Sequence, residues 1–158
     1  MITSWSGSIL DRKFEALVNP VNCVGVCGAG LAAQFKAKFP QNFDLYRKEC
    51  EAKRMIPGRV FVTNVPGIGS GYPAWIINFP TKRHWRDKSL LKDISDGLDH
   101  LVEVIEILDL REIAIPRLGC GLGGLDWHGQ VRPLVVTKLE KRKVDIHLFE
   151  LTGGIGGV

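Results

Sequence analysis

The sequence predicts an α/β domain with a mixed, mainly parallel sheet covered by helices on both faces. Short apolar runs at 16–19, 74–79 and 112–115 read as buried strands, and they alternate with helical patterns. A glycine-rich or basic loop follows each run: 19–30, 79–88 and 119–124. In parallel sheets ligands sit beyond the carboxyl ends of the strands, so the three loops should gather at one edge.

Taken in order, 2–5 reads as an edge strand and Ser6-Gly7-Ser8 as a turn. The core strand leads through Gly25, Gly28 and Gly30 into a helix with Leu31, Phe35 and Phe39 on one face, ended by Pro40. A second helix covers 41–53, with Phe43, Tyr46 and Cys50 inward, and 59–65 alternates as a strand. PGIGSG at 66–71 is a loop, and Pro80 ends the strand at 74–79. The helix at 89–108 has a continuous apolar stripe of Leu91, Ile94, Leu98, Leu101, Ile105 and Leu108. After the strand at 112–115 and the loop at 116–126, a helix over about 127–141 and a strand over 145–151 complete the domain.

At 158 residues the chain is one domain over 1–152 with a flexible tail at 153–158. Apolar content of 45% with 24% charged residues excludes a disordered chain. No run approaches the ~18 apolar residues of a membrane span, and the N-terminus lacks signal-peptide features, which predicts a cytoplasmic monomer. Cys23, Cys27, Cys50 and Cys120 form no C-x-x-C pair and read as reduced thiols; no metal site or cofactor is expected. A net charge of +4 permits an acidic partner.

Glycines let backbone N–H groups approach a ligand, and a helix N-terminus favours phosphate. Gly119, Gly121 and Gly124 satisfy G-x-G-x-x-G, but only one helix and one strand follow, and Asp145 would begin the next strand rather than close it. A pyrophosphate held between two glycine loops fits better than a nicotinamide dinucleotide.

VNPVNCVGVCGAGLAAQFK, IINFPTKRHWR and IPRLGCGLGGLDW together resemble the macrodomain family, a three-layer α/β/α fold that binds ADP-ribose, over nearly the whole chain. Within it they are similar to the branch of the DarG-type DNA ADP-ribosyl glycohydrolases, related to the human terminal ADP-ribose glycohydrolase. The resemblance implies a hydrolase that removes ADP-ribose from thymidine in single-stranded DNA. That is an antitoxin-like DNA repair activity, with a cognate ADP-ribosyltransferase toxin as a further partner. Lys82 and Asn22 would be catalytic, with Asn22 on the distal ribose. ADP-ribose would lie against Ser8, Ile9, Asn22, Gly28, Ala29, Gly30, Leu31, Pro116, Gly119, Cys120, Gly121, Leu122 and Gly123. Ser8 stands where many relatives have an adenine-binding aspartate, and Gly123 where the human enzyme has an acid. The alternatives are a non-catalytic ADP-ribose-binding module and a hydrolase of protein-linked ADP-ribose or ADP-ribose phosphate.

A lysine amine can attack an anomeric carbon or stabilise a departing base. His84 and Trp85 suit base stacking, and Arg83, Arg86 and Lys88 suit phosphates. The same residues equally suit a core-capping tryptophan in a solvated basic loop. His128, after a helix cap at Asp126, reads as a surface residue.

Overall fold

A computed structural model of the chain describes residues 1–64 and 73–151. The expected loop at 66–71 and tail at 153–158 lie outside the described residues. Six strands, β1 (Ile2–Ser6), β2 (Ala16–Asn22), β3 (Phe61–Asn64), β4 (Trp75–Lys82), β5 (Glu112–Pro116) and β6 (Asp145–Leu151), form one sheet ordered β1-β6-β5-β2-β4-β3. All neighbours are parallel except β3 and β4. The helices among the described residues are α1 (Gly30–Lys38), α2 (Pro40–Glu51), α3 (Leu91–Ile107) and α4 (Arg132–Leu139).

Alternation along the strands divides the core into two faces. Ala16, Val18, Ile77, Phe79, Ile113 and Ile115 pack with α3 and α4, whereas Leu17, Ile76 and Ala114 pack with α1. On α3 the predicted stripe is buried through Ile94, Leu98, Leu101 and Ile105. Gly97 joins that face: a Cβ there would lie 2.5 Å from the Phe79 ring, so α3 is drawn tightly against β4. Pro40 ends α1 and opens α2, where its missing N–H costs nothing.

Two strands outrun their predicted ends. Pro20 and Pro80 were expected to lie beyond β2 and β4, yet the strands continue to Asn22 and Lys82. The reason is one-sided pairing. β5 pairs with β2 only at Ala16 and Leu17, and β3 pairs with β4 only as far as Asn78. Beyond those points β2 and β4 have only each other, which is the edge-like setting that tolerates proline. The single helix expected over 127–141 is instead a π turn, Trp127–Val131, followed by α4. Pro133 cannot donate within a helix interior, so the regular helix begins just before it.

A buried amide network ties the sheet to α2. Asn19 Nδ2 and Asn42 Nδ2 donate to Asn78 Oδ1 at 3.0 and 3.1 Å, and Asn78 Nδ2 and Thr63 Oγ1 donate to Asn42 Oδ1 at 2.9 and 2.6 Å. It joins β2, β3, β4 and α2 through side chains that would each be costly to bury alone.

Glu150 anchors the opposite side of the sheet. Its carboxylate accepts from Ser4 on β1, from Trp127 Nε1 at 2.8 Å and from Arg132 Nε at 2.7 Å, and its carbonyl accepts from Arg117. Burial pushes the Glu150 carboxyl up, but the bonds from Arg132, Ser4 and Trp127 override it and hold the group down at about 2. A depressed pKa contributes stability above the unfolded value of 4.5 that is lost as pH falls towards 2, on the order of 3 kcal/mol. Thermal melts from pH 7 to pH 2 should therefore show Glu150→Gln less stable at neutrality, with a shallower loss than the wild type below about pH 4.5. Parallel curves would remove Glu150 from the acid transition.

Candidate functional site

The three suspected loops do converge. Their strands β2, β4 and β5 are parallel and adjacent, so all three carboxyl ends face one edge. The loops are also bonded to one another: the Cys23 N–H donates to Arg83 O at 3.3 Å, and the Ser89 N–H to Gly123 O at 2.9 Å.

At the centre of that edge the β2–β4 register shifts. Val21 pairs with Pro80, but Asn22 pairs with Lys82, leaving Thr81 as the extra residue of a bulge. A bulge re-aims the side chains beside it. Here it sets Lys82 directly across from Asn22. Lys82 is half-buried, with Nζ donating to Trp85 O at 3.1 Å.

Asn22 is buried, and its amide organises the first loop. Oδ1 accepts from the N–H groups of Val24, Gly25 and Val26 at 3.0, 3.1 and 3.4 Å, and Nδ2 donates to Val26 O at 2.7 Å. Tyr46 on α2 completes the arrangement, its hydroxyl reaching Asn22 O and Oδ1 at 2.7 and 2.9 Å. Burial keeps that phenol protonated and donating.

Beyond this loop α1 presents its first turn. Ala29 caps the helix without a side-chain bond, so the leading N–H groups of α1 face outward with the positive end of the helix dipole. Leu31 is half-buried beside Phe35. In the second loop the Cys120, Gly124 and Leu125 N–H groups donate to Arg117, Gly121 and Gly119 carbonyls. Among the described residues, the N–H groups of Gly121, Leu122 and Gly123 have no protein acceptor. Two sets of backbone donors therefore flank the Asn22–Lys82 pair, an arrangement suited to a diphosphate.

The glycines serve different purposes. A Cβ on Gly123 would lie 2.2 Å from Ser89 Oγ and 2.5 Å from Gly119 O, so no side chain fits there. Gly119 and Gly124 have φ of +73° and +81°, the left-handed region. Gly28 and Gly121 have neither constraint: a Cβ on either meets nothing within 4 Å and points into open space.

Ser8 and Ile9 follow β1 and reach the same edge through a 3₁₀ turn, Ile9–Asp11. Ser8 Oγ caps that turn from the Leu10 N–H at 3.1 Å. The Ile9 side chain is buried against Phe14 and Leu17, which leaves its backbone for the edge, as does burial of Pro116.

In the basic loop, Arg83 has a partner the sequence reading missed. Its Nε and NH2 donate to both oxygens of buried Asp93 in the first turn of α3, at 3.0 and 3.2 Å. Arg83 thus pins the residue after Lys82 to α3. Trp85 is 50% exposed, so it does not cap the core. Arg86 lies over its ring at 5.2 Å and His84 beside it at 5.4 Å. His128 is exposed, next to the Asp126 cap.

Burial raises the Cys23, Cys27 and Cys120 thiols to about 11, so all three are protonated and poor nucleophiles at neutral pH. Among the described residues no three His, Cys, Asp or Glu side chains gather to hold a metal, and no helix is long and apolar enough to cross a membrane.

A family model described as the Macro domain matches residues 18–132. The DNA ADP-ribosyl glycohydrolase of Mycobacterium tuberculosis is 44% identical over 154 residues, covering 98% of this chain and 43% of the relative. The chain thus spans less than half the length of that relative. The structure of the macrodomain of Mycobacterium tuberculosis DarG superposes with a TM-score of 0.89 at 44% identity, covering 94% of this chain and 96% of that one. Thermosipho africanus DarTG in complex with ADP-ribose superposes at 0.82 and 33% identity, covering 93% of this chain and 41% of that one.

The Arg83–Asp93 pair generates a stability test. Arg83→Gln leaves a buried carboxylate unpaired and should lower the melting temperature, and adding Asp93→Asn should recover part of the loss. Additive effects in the double variant would dissolve the pair.

Proposed function

The chain belongs to the macrodomain family, and on that footing we propose that it removes ADP-ribose from a modified nucleobase, thymidine-linked, in single-stranded DNA. The observation that carries this reading is the bulge that sets Lys82 opposite Asn22 between two sets of free backbone donors. The relatives named for DNA ADP-ribosyl glycohydrolase activity supply the substrate class.

The diphosphate lies across the N–H groups of Gly121, Leu122 and Gly123 and the first turn of α1, where Gly28, Ala29 and Gly30 keep the backbone accessible. Adenine extends towards Ser8 and Ile9, and the distal ribose comes to rest at the Asn22 loop. That loop is already rigid, so little ordering cost falls on binding. The anomeric carbon then meets Lys82. Either the amine forms a bond to that carbon as the base departs, and water later releases ADP-ribose, or the ammonium neutralises charge building on the leaving base. Exposed Trp85 offers the base a stacking face, and Arg86 and Lys88 are the cations left for phosphates, since Asp93 neutralises Arg83. A cognate toxin that adds the modification is the partner this activity implies; the Thermosipho relative joins transferase and glycohydrolase in one fusion protein.

Calorimetry should show the wild type binding free ADP-ribose, and Gly121→Val weakening it at least tenfold without loss of melting temperature, because the new side chain enters open space. Unchanged affinity would move the ligand elsewhere.

With ADP-ribosylated single-stranded DNA as substrate, Lys82→Ala should slow release by at least about a hundredfold while free ADP-ribose binds as before. Near-normal turnover would leave a binding module. Lys82→Arg separates the two chemical routes: it keeps the charge without a usable nucleophile, so activity in this variant favours electrostatic help. ADP-ribosylated protein assayed in parallel tests the protein-directed alternative.

A further inference from the structure

We infer that single-stranded DNA flanking the modified base runs across the cleft between the end of α2 and the start of β3, with Lys53 and Arg59 on its phosphates. This rests on the DNA-directed reading above and adds a surface next to, but outside, the ADP-ribose pocket.

The cleft is a cavity of about 290 Å³ whose walls include Lys53, Met55, Ile56, Arg59 and Phe61. Its position follows from strand direction. β3 is antiparallel to β4 with Phe61 opposite Asn78, so the chain leading into Phe61 comes from the end of β4 that carries Lys82. The other wall, the last turn of α2, abuts the first glycine loop: Arg47 and Cys50 atoms lie 3.5 Å from where a Gly25 Cβ would stand. The cleft therefore opens on the same edge as Lys82, beside the basic loop.

Its walls set three cations, Lys53, Arg54 and Arg59, against one carboxylate, Glu49, whose ionised form Arg54 and, more weakly, Arg59 favour. Arg54 spends its guanidinium on Glu49 at 2.6 Å, as Arg83 does on Asp93. Lys53 and Arg59 are exposed, and among the described residues neither is in an ion pair. Lys53 stands at the left-handed position after α2, with φ of +58°, where glycine would sit with less strain. A lysine stands there nonetheless. The walls are rigid: the Lys53 N–H donates to Cys50 O at 3.0 Å, the Arg54 N–H to Glu49 O at 2.9 Å, and the Val60 N–H to His100 Nδ1 on α3 at 2.9 Å. Between the cations, Ile56 is 42% exposed, an apolar face on which a base can rest. Unpaired cations alternating with apolar surface match a single strand, whose phosphates and bases also alternate.

The test uses the whole chain and the variant Lys53→Gln/Arg59→Gln. Affinity for an unmodified 12-nucleotide strand, read by fluorescence anisotropy, should fall about tenfold, and the salt slope of log affinity should shrink by about 1.4, two contacts at 0.7 each. Release of ADP-ribose from an ADP-ribosylated 12-mer should show the same drop in kcat/KM, with an ADP-ribosylated trinucleotide unaffected. Equal affinity and an equal salt slope in wild type and variant would overturn the inference, as would a wild type that treats 12-mer and trinucleotide alike. Poly-glutamate competing better than the unmodified strand would also overturn it, in favour of an acidic peptide. No release from either modified DNA would instead count against the proposed function, while the anisotropy arm still decides the cleft.

Discussion

The lateral pairing of β2 and β4 is the constraint on which the candidate site depends. These strands stay parallel neighbours past the points where β5 and β3 fall away, and past a proline in each. What holds them is not the backbone ladder alone. The Asn19–Asn78–Asn42 network fixes their separation from within, and α3 is pressed onto β4 where Gly97 admits the Phe79 ring. Only on that foundation does the bulge at Thr81 deliver Lys82 to the position across from Asn22. Slippage of one residue between the two strands would separate them and turn the side chain on the strand that moved to the opposite face.

Buried polarity at this end is used to shape loops. Asn22 and Tyr46 hold the first loop, Asp93 holds the basic loop through Arg83, and Ser89 sits under the second loop, with its N–H on Gly123. Each binds backbone or a charged side chain that would otherwise face water; Asn22, Tyr46 and Asp93 do so from β2, α2 and α3, and Ser89 from the segment just before α3. The ligand edge is consequently stiff. The thiols interleaved with these groups are held protonated by the same burial, so they do not act as nucleophiles at neutral pH.

Much of this arrangement was legible in the sequence. The α3 stripe from Ile94 to Ile105 and the last strand, Asp145–Leu151, followed directly from periodicity, and the alternation of elements implied that the three loops meet. Local rules failed where tertiary context overrode them. Pro20 and Pro80 look like strand ends because a proline is judged by what it cannot donate, and only the sheet shows that no acceptor was waiting on that side. Arg83 read as one more cation in a basic run, since its partner Asp93 lies ten residues on, in a helix whose register decides whether that carboxylate faces inward. The clue was there in the pairing of Asp93 with Gly97, a turn apart on one helix face, but neither residue marks its partner in sequence.

The division among the loop glycines bears on how such a chain can drift. Gly119, Gly123 and Gly124 are demanded by the protein's own packing and backbone angles, so they would persist in a descendant that no longer bound anything. Gly28 and Gly121 answer to no internal contact. On the proposed function, it is the ligand in the cleft between the loops that keeps side chains out of those two positions. Comparing many related chains, loss of glycine at 28 or 121 with retention at 119, 123 and 124 would mark lineages in which the fold outlived its ligand, a distinction that a match to the whole glycine motif passes over.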